Sequence, residues 1–184
     1  MKQTIHTVAY EISQVLSNVS EEQAIQLSRS IEKAKRIFVA GEGRSGMMGK
    51  AFAMRLMHAG YNVYVTGETI TPNIQKGDRL LAISGSGSTQ SICQFAKKAK
   101  EQEAQVTAVT TNANSSLADI SDDVLVIPAA TKKRLSEEPA TIQPLGNQFD
   151  QSLHLLLDAI IIYTIEQSKQ TNNEEMTERH ANLE

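Results

Sequence analysis

Five short apolar segments alternate with helical segments along most of this chain, and this alternation restricts the fold more than any other feature. The segments that we expect to be strands are 36–40, 62–66, 79–84, 105–110 and 123–127. Apolar strands that alternate with helices are typical of a parallel sheet covered on both faces. The sequence therefore predicts a single α/β domain, a three-layer αβα sandwich around a five-stranded parallel sheet.

The helical segments are predicted from the spacing of their apolar residues. We expect helices over 5–16, 24–34, 48–59, 89–103 and 148–167, with a short helical turn at 116–120. Ser20 with the following acidic residues predicts the start of the second helix, and Gly60 the end of the third. The segment 128–146 holds three of the four prolines and is predicted to be a long loop, a feature that is commonly functional.

Length and charge exclude several classes of protein. The 184 residues fit one domain, which we divide into N-terminal helices (1–35), a core (36–167) and a polar tail (168–184) that composition predicts to be unstructured. A net charge of −3 argues against nucleic-acid or anionic-membrane partners. The single cysteine, Cys93, excludes an internal disulfide and is expected to be a buried apolar residue. No stretch is long and apolar enough for a signal peptide or a membrane span, so a cytoplasmic protein is expected.

Two glycine-containing loops follow predicted strands. Residues 41–46 read Gly-Glu-Gly-Arg-Ser-Gly, a G-x-G-x-x-G pattern, and Glu68 lies 22 residues beyond Gly46. This pattern between a strand and a helix is typical of dinucleotide-binding sites, so an oxidoreductase that uses NAD is one interpretation. The pattern alone is weak evidence, because any phosphate loop at a helix N-terminus favours the same glycines.

The second loop favours a different interpretation. Residues 84–89 read Ser-Gly-Ser-Gly-Ser-Thr, so that Ser84, Ser86, Ser88 and Thr89 place four hydroxyls in six residues before a helix. Hydroxyls, free amides and the positive end of a helix dipole can hold a phosphate without a lysine. A plain serine-capped turn is the structural alternative. A protein that binds one sugar phosphate between two adjacent strand ends needs both loops.

These two loops resemble the sugar isomerase (SIS) domain family over about residues 5–167. Within it, four further segments are similar to the 6-phospho-3-hexuloisomerase family: 54–60 (Met-Arg-Leu-Met-His-Ala-Gly), 67–72, 143–146 (Gln-Pro-Leu-Gly) and 179–184. The resemblance implies a flavodoxin-like strand order 2-1-3-4-5, a homotetramer, and no metal or organic cofactor. It also implies an ordered tail that docks near an active site, against the prediction from composition.

The implied reaction interconverts D-arabino-hex-3-ulose 6-phosphate and fructose 6-phosphate through an enediol, as in formaldehyde metabolism by the ribulose monophosphate pathway. One group must then move a proton at carbon and another must move protons at the two oxygens. The resemblance places the carbon base at Asp150, where the family pattern has a glutamate. His58 and Glu68 are further catalytic candidates, although each is also a common structural residue.

The remaining candidates would bind substrate. Ser84, Ser86, Ser88 and Thr89 are expected to hold the phosphate, with Arg44 and Ser45 facing the sugar and His180 reaching the site from the tail. The cluster 132–134 (Lys-Lys-Arg) is either a solvated loop surface or extra charge at the mouth of a phosphate pocket. Alternatives to this enzyme are a non-catalytic sugar-phosphate-binding SIS protein, an isomerase of another phosphosugar, and the dinucleotide oxidoreductase.

Overall fold

A computed structural model describes residues 1–169 and 171–183 of the chain. Its five strands are β1 (Ile37–Gly41), β2 (Val63–Val65), β3 (Arg79–Ile83), β4 (Gln105–Thr110) and β5 (Asp123–Val126). The helices in this part of the chain are α1 (Lys2–Ser17), α2 (Glu21–Lys33), α3 (Gly43–His58), α4 (Gln90–Glu101), α5 (Ser116–Ile120), α6 (Asn147–Ser168) and α7 (Asn173–Glu178). Residues 128–146 form a long connection without helix or strand, as the prolines predicted.

The strands form one parallel sheet in the order β2-β1-β3-β4-β5, which confirms the predicted fold class and strand order. Ile37 of β1 pairs with Val63 of β2 on one side and with Arg79 of β3 on the other. The strand order changes direction between β2 and β3, because β2 lies on one side of β1 and β3 lies on the other. Open α/β sheets bind ligands at such a point, outside the carboxyl ends of the strands.

Each face of the sheet carries its own apolar core. Alternate residues of β1 point to opposite faces, so Val39 packs with α2, α3 and α6 while Phe38 packs with α4 and α5. The helix α6 contacts α1, α2 and α3. These contacts bury apolar residues on several sides of α6, although Leu155 and Ile162 stay exposed.

Two local predictions were wrong. The third helix begins at Gly43 and not at Met48, so most of the first glycine loop is the first turn of α3. The tail is ordered in its described part, where Asn172 caps α7, so its polar composition did not indicate disorder. Residues 170 and 184 of the tail segment lie outside the described residues.

No helix in residues 1–169 or 171–183 combines the length and the apolar character needed to cross a membrane. Within the same residues, no group of three or more histidine, cysteine, aspartate or glutamate side chains is placed to hold a metal ion.

Candidate functional site

A cleft of about 200 Å³ lies beyond the carboxyl ends of β1 and β3. Three helices, α3, α4 and α6, begin beside it, and the connection 128–146 covers its outer side. We call this connection the strap. The residues that line the cleft are Ser45, Gly85, Ser86, Thr89, Thr131, Lys132, Leu145, Gly146, Phe149 and Asp150. Both predicted loops therefore contribute to one site.

The predicted phosphate loop is divided into lining and supporting hydroxyls. Ser86 and Thr89 line the cleft. Ser84 is buried and its hydroxyl lies 2.8 Å from that of Thr89, while the Ser88 hydroxyl donates a hydrogen bond of 3.1 Å to Ser86 Oγ. Ser84 and Ser88 thus hold the two lining hydroxyls in place.

Gly87 gives this loop its tight shape. Its φ of +60° lies in the left-handed region, and a Cβ atom at this position would stand 2.1 Å from Ser115 Oγ. Any side chain would therefore both strain the backbone and displace the loop. The amide of Gly87 donates to the Ser84 carbonyl at 2.9 Å, which closes the turn in front of α4.

Two glycines of the first loop serve packing. A Cβ atom on Gly46 would stand 2.5 Å from the carbonyl oxygen of Gly41, so glycine allows the first turn of α3 to lie against the end of β1. Gly43 instead has a φ of +56°, a conformation that favours glycine, so local geometry explains all three glycines of the pattern. The pattern provides no separate indication of a dinucleotide.

The helices that begin at the cleft lack side-chain caps. In the described part of the chain, Ser20, Ser115 and Asn172 cap α2, α5 and α7 with a side-chain hydrogen bond, whereas α3, α4 and α6 have none. The helix α1, which does not line the cleft, also lacks one. At α4 the cap residue is Thr89, whose hydroxyl contacts Ser84 instead of the helix amides. The first amides of a helix have no partner within the helix. The Asn147 amide of α6 donates to the Pro144 carbonyl at 3.1 Å. The other first amides of these three helices, each set at the positive end of a helix dipole, favour an anion in this cleft.

Asp150 lies in the first turn of α6 and is buried. Its Oδ1 accepts a hydrogen bond of 2.7 Å from the Ser45 hydroxyl, and its Oδ2 lies 3.6 Å from Arg44 Nε. Burial raises the pKa of Asp150 above its ordinary value of 3.8, although the Ser45 hydrogen bond and the Arg44 charge act to lower it. A carboxylate with a raised pKa that faces a cleft is suited to accept a proton.

The strap forms the outer wall of the cleft with Thr131, Lys132, Leu145 and Gly146. Leu145 is exposed and has a φ of +53°, an unfavourable backbone conformation for a residue with a side chain. Such conformations are concentrated at ligand-binding sites, where surrounding contacts maintain them.

Three predicted site residues lie away from this cleft within the single chain. Glu68 pairs with Lys50 at 2.6 Å and lines a separate cavity on the α4 side of the sheet. His58 is buried at the end of α3, where its ring stacks on that of His180 with centroids 5.1 Å apart. Burial, His180 and Arg55 together lower the pKa of His58 below 6.5.

The tail docks on this end of α3. Arg179 donates a hydrogen bond of 3.1 Å to the His58 carbonyl and another of 2.9 Å to Thr171 Oγ1. Its guanidinium also covers Gly60. The described residues of the tail therefore contact His58 and do not line the cleft that holds Asp150.

Sequence reasoning did not single out Thr131, Leu145 or Phe149 as site residues. Phe149 forms part of the cleft beneath Gly85, and Thr131 and Leu145 come from opposite ends of the strap. The one sequence signal for the strap residues was the long proline-containing loop. It marked the segment but not the side chains that reach the cleft.

A parallel sheet in this order, with uncapped helix ends around a cleft at the strand carboxyl ends, defines a class of α/β domains that bind small anionic ligands. Comparison with known families then specifies the class. The model of the SIS domain matches residues 30–143, and the chain belongs to this family.

Curated relatives extend the match over nearly the whole chain. The 3-hexulose-6-phosphate isomerase of Bacillus subtilis is 41% identical over 174 residues, covering 95% of this chain and 94% of that protein. The 3-hexulose-6-phosphate isomerase of Methylomonas aminofaciens is 37% identical over 177 residues, covering 96% of each chain. These relatives confirm the resemblance to the hexuloisomerases.

A solved structure agrees with them. The crystal structure of a hypothetical protein from Methanococcus jannaschii, described as inferring a molecular function of 3-hexulose-6-phosphate isomerase, superposes with a TM-score of 0.84. It is 33% identical and the match covers 99% of both chains. The fold expected from the resemblance is thereby confirmed along the described chain.

Proposed function

We propose that this protein is a ketose-phosphate isomerase that interconverts D-arabino-hex-3-ulose 6-phosphate and fructose 6-phosphate. The observation that carries the proposal is one cleft that combines a buried carboxylate, Asp150, with three uncapped helix ends and the Ser86 and Thr89 hydroxyls. Relatives about 40% identical along nearly the whole chain are named 3-hexulose-6-phosphate isomerases, which supports this substrate pair.

The phosphate group is proposed to bind at the loop 84–89. The hydroxyls of Ser86 and Thr89 and the first amides of α4 are its donors. Ser45 and Arg44 lie beside Asp150 and are proposed to contact the sugar as well as the carboxylate. No cofactor is required by this chemistry, because the electrons move within the substrate.

Asp150 is proposed to be the base. It removes the proton at C2 of the 3-ulose while the C3 carbonyl oxygen gains a proton, which gives the enediol. The proton then returns to C3 as the C2 oxygen loses its own, and the C2 carbonyl of fructose 6-phosphate forms. A raised pKa allows the carboxylate to both accept and return the proton.

His58, His180 and Glu68 remain proposed site residues, but they lie outside the Asp150 cleft of their own chain. Participation in the reaction therefore requires a neighbouring subunit. An exposed apolar groove between α1 and α6, lined by Ile5, Val8, Ile12 and Leu155, supports the proposed homotetramer. Light scattering at micromolar concentration tests it, and a monomer would contradict it. A cytoplasmic location and a role in formaldehyde metabolism also remain proposals.

The direct test follows conversion between fructose 6-phosphate and the 3-hexulose in deuterium oxide. We expect turnover together with uptake of solvent deuterium at C2 or C3, because the base exchanges its proton with water. Binding of fructose 6-phosphate without turnover or exchange would contradict the enzyme. The shorter aspartate at the position of the family's glutamate makes a non-catalytic sugar-phosphate-binding protein the second candidate.

A further inference from the structure

Two charged side chains line the cleft in the described part of the chain, Asp150 and Lys132. The negative charge of Asp150 already has a cation beside it, since Arg44 Nε lies 3.6 Å from Oδ2. Lys132 has no hydrogen bond or ion pair with any residue in 1–169 or 171–183. Its ammonium group is therefore a cation at the cleft without a protein partner.

The backbone that carries Lys132 is held in one conformation. The Glu138 carboxylate accepts hydrogen bonds from the Thr131 amide at 2.9 Å, from the Thr131 hydroxyl at 2.5 Å and from the Leu135 amide at 3.3 Å. Thr131 is buried, although Lys132 beside it is exposed. These bonds close a turn that keeps the first part of the strap against the cleft.

The second part of the strap is fixed to two helices. Glu11 of α1 accepts hydrogen bonds of 2.9 Å from the Ile142 amide and from the Gln143 side chain. Gln143 Oε1 in turn accepts from Asn147 at 2.7 Å and from Gln151 at 3.0 Å, both on α6. Arg134 donates to the Gln143 carbonyl and so links the two parts. The strap is thus a positioned wall and not a loose surface loop.

Apart from Arg44, which lies beside Asp150, the remainder of the anion site supplies only partial positive charges. Hydroxyls and helix amides supply donors, and a helix end provides only about half a charge. A phosphate monoester carries −1.5 to −2 charges at neutral pH. A lysine is a compact point charge that can approach phosphate from many directions, so it suits a partly exposed rim.

We infer that Lys132 is a substrate-binding residue that contacts the phosphate group from the strap, with Glu138 as the residue that positions it. This inference rests on the proposed function for the identity of the substrate, but not for the anion itself. The neighbouring Lys133 lies on the same strap, is exposed, and does not line the cleft. It provides a matched control.

The test measures binding of inorganic phosphate and of fructose 6-phosphate by calorimetry, and KM and kcat by turnover. Lys132→Ala is expected to weaken both affinities and raise KM about tenfold, with kcat changed far less. Lys132→Arg should retain most of the affinity. The loss of affinity in Lys132→Ala should become smaller as the salt concentration rises. Lys133→Ala should match the wild type. Glu138→Gln should weaken phosphate binding less than Lys132→Ala while thermal unfolding shows a folded protein.

Unchanged phosphate affinity in Lys132→Ala would overturn the inference. So would a fall in kcat at constant KM, because Lys132 would then act at the reacting carbons. A wild-type protein that binds phosphate but does not isomerise the sugar would contradict the proposed function alone. In that case the calorimetric comparison of Lys132→Ala with Lys133→Ala still decides the role of Lys132.

Discussion

The hydroxyl of Ser45 donates a hydrogen bond of 2.7 Å to Oδ1 of Asp150, which lies 105 positions later in the chain. Ser45 belongs to the first turn of α3 and Asp150 to the first turn of α6. The bond therefore joins two helix N-termini at the cleft. It orients the carboxylate that we propose as the base, while burial raises its pKa.

Asp150→Asn is expected to lower kcat by about 100-fold or more, because it removes the oxygen that accepts the proton. Binding of inorganic phosphate should not change. The melting temperature should stay constant or rise by about 2–4 °C, since a buried carboxylate whose pKa is raised opposes folding when ionised. Turnover, calorimetry and thermal unfolding measure the three effects.

Asp158→Asn is the control for this variant, since Asp158 lies on the same helix and is partly exposed near His154. It should leave turnover unchanged. Near-normal turnover in Asp150→Asn would exclude Asp150 as the base. A marked loss of stability in that variant would indicate a structural role instead.

The acidic limb of the profile of kcat/KM against pH should report the ionisation of the Asp150 carboxyl group. Burial places its pKa above 3.8, and the Arg44 charge acts in the opposite direction. Arg44→Gln should therefore move the limb to higher pH, because the ionised base loses a stabilising charge. Lys50→Gln removes a charge from the same helix beside Glu68 and should not move it. A shift in Lys50→Gln but not in Arg44→Gln would favour Glu68 as the base.

Loss of a hydroxyl at a helix start should have different effects at Thr89, beside the cleft, and at Ser20, away from it. Thr89→Ala is expected to weaken phosphate binding about tenfold, because its hydroxyl lines the cleft. Ser20→Ala removes the cap of α2, where Ser20 Oγ accepts from the Gln23 amide at 3.3 Å. It should cost about 1 kcal/mol of unfolding free energy and leave phosphate binding intact. Equal phosphate binding by Thr89→Ala and wild type would contradict the assignment of the loop 84–89 as the phosphate site.

Docking of the tail should weaken as the pH falls. The pKa of His58 in the folded protein lies below 6.5, mainly because the ring is buried, so the unfolded or undocked state takes up the proton first. The contribution of neutral His58 to stability is therefore complete above pH 6.5 and is lost as the pH falls through that value toward the lower pKa of the folded state.

Amide exchange in α7 measures this effect, and faster exchange is expected at pH 5.5 than at pH 7.5 after correction for the intrinsic rate. His58→Gln should reduce the difference between the corrected exchange rates at pH 5.5 and pH 7.5. His154 is a partly exposed histidine on α6, so His154→Gln is the control and should retain the difference. The same corrected exchange at both values would exclude His58 as the titrating group.

The sequence by itself determined the sheet and most of its boundaries. Mostly apolar strands that alternate with helices permit few arrangements, and local signals such as Ser20 and Gly60 placed helix ends within one or two residues. The strand order itself came from family resemblance, because apolar patterns show which segments are strands but not which ones are neighbours. Composition gave the wrong result for the tail, since Arg179 and His180 dock it on His58 through a hydrogen bond and a ring stack.

Only the tertiary structure decided how the site is assembled. The pattern of hydroxyls marked the loop 84–89, but not that Ser86 and Thr89 line the cleft while Ser84 and Ser88 support them. The contact between Ser45 and Asp150, and the bonds from Glu11 to the strap about 130 residues away, join segments that share no local pattern. Such contacts form when the sheet brings distant helix ends to one edge, so the position of Lys132 and the raised pKa of Asp150 depend on the fold as a whole.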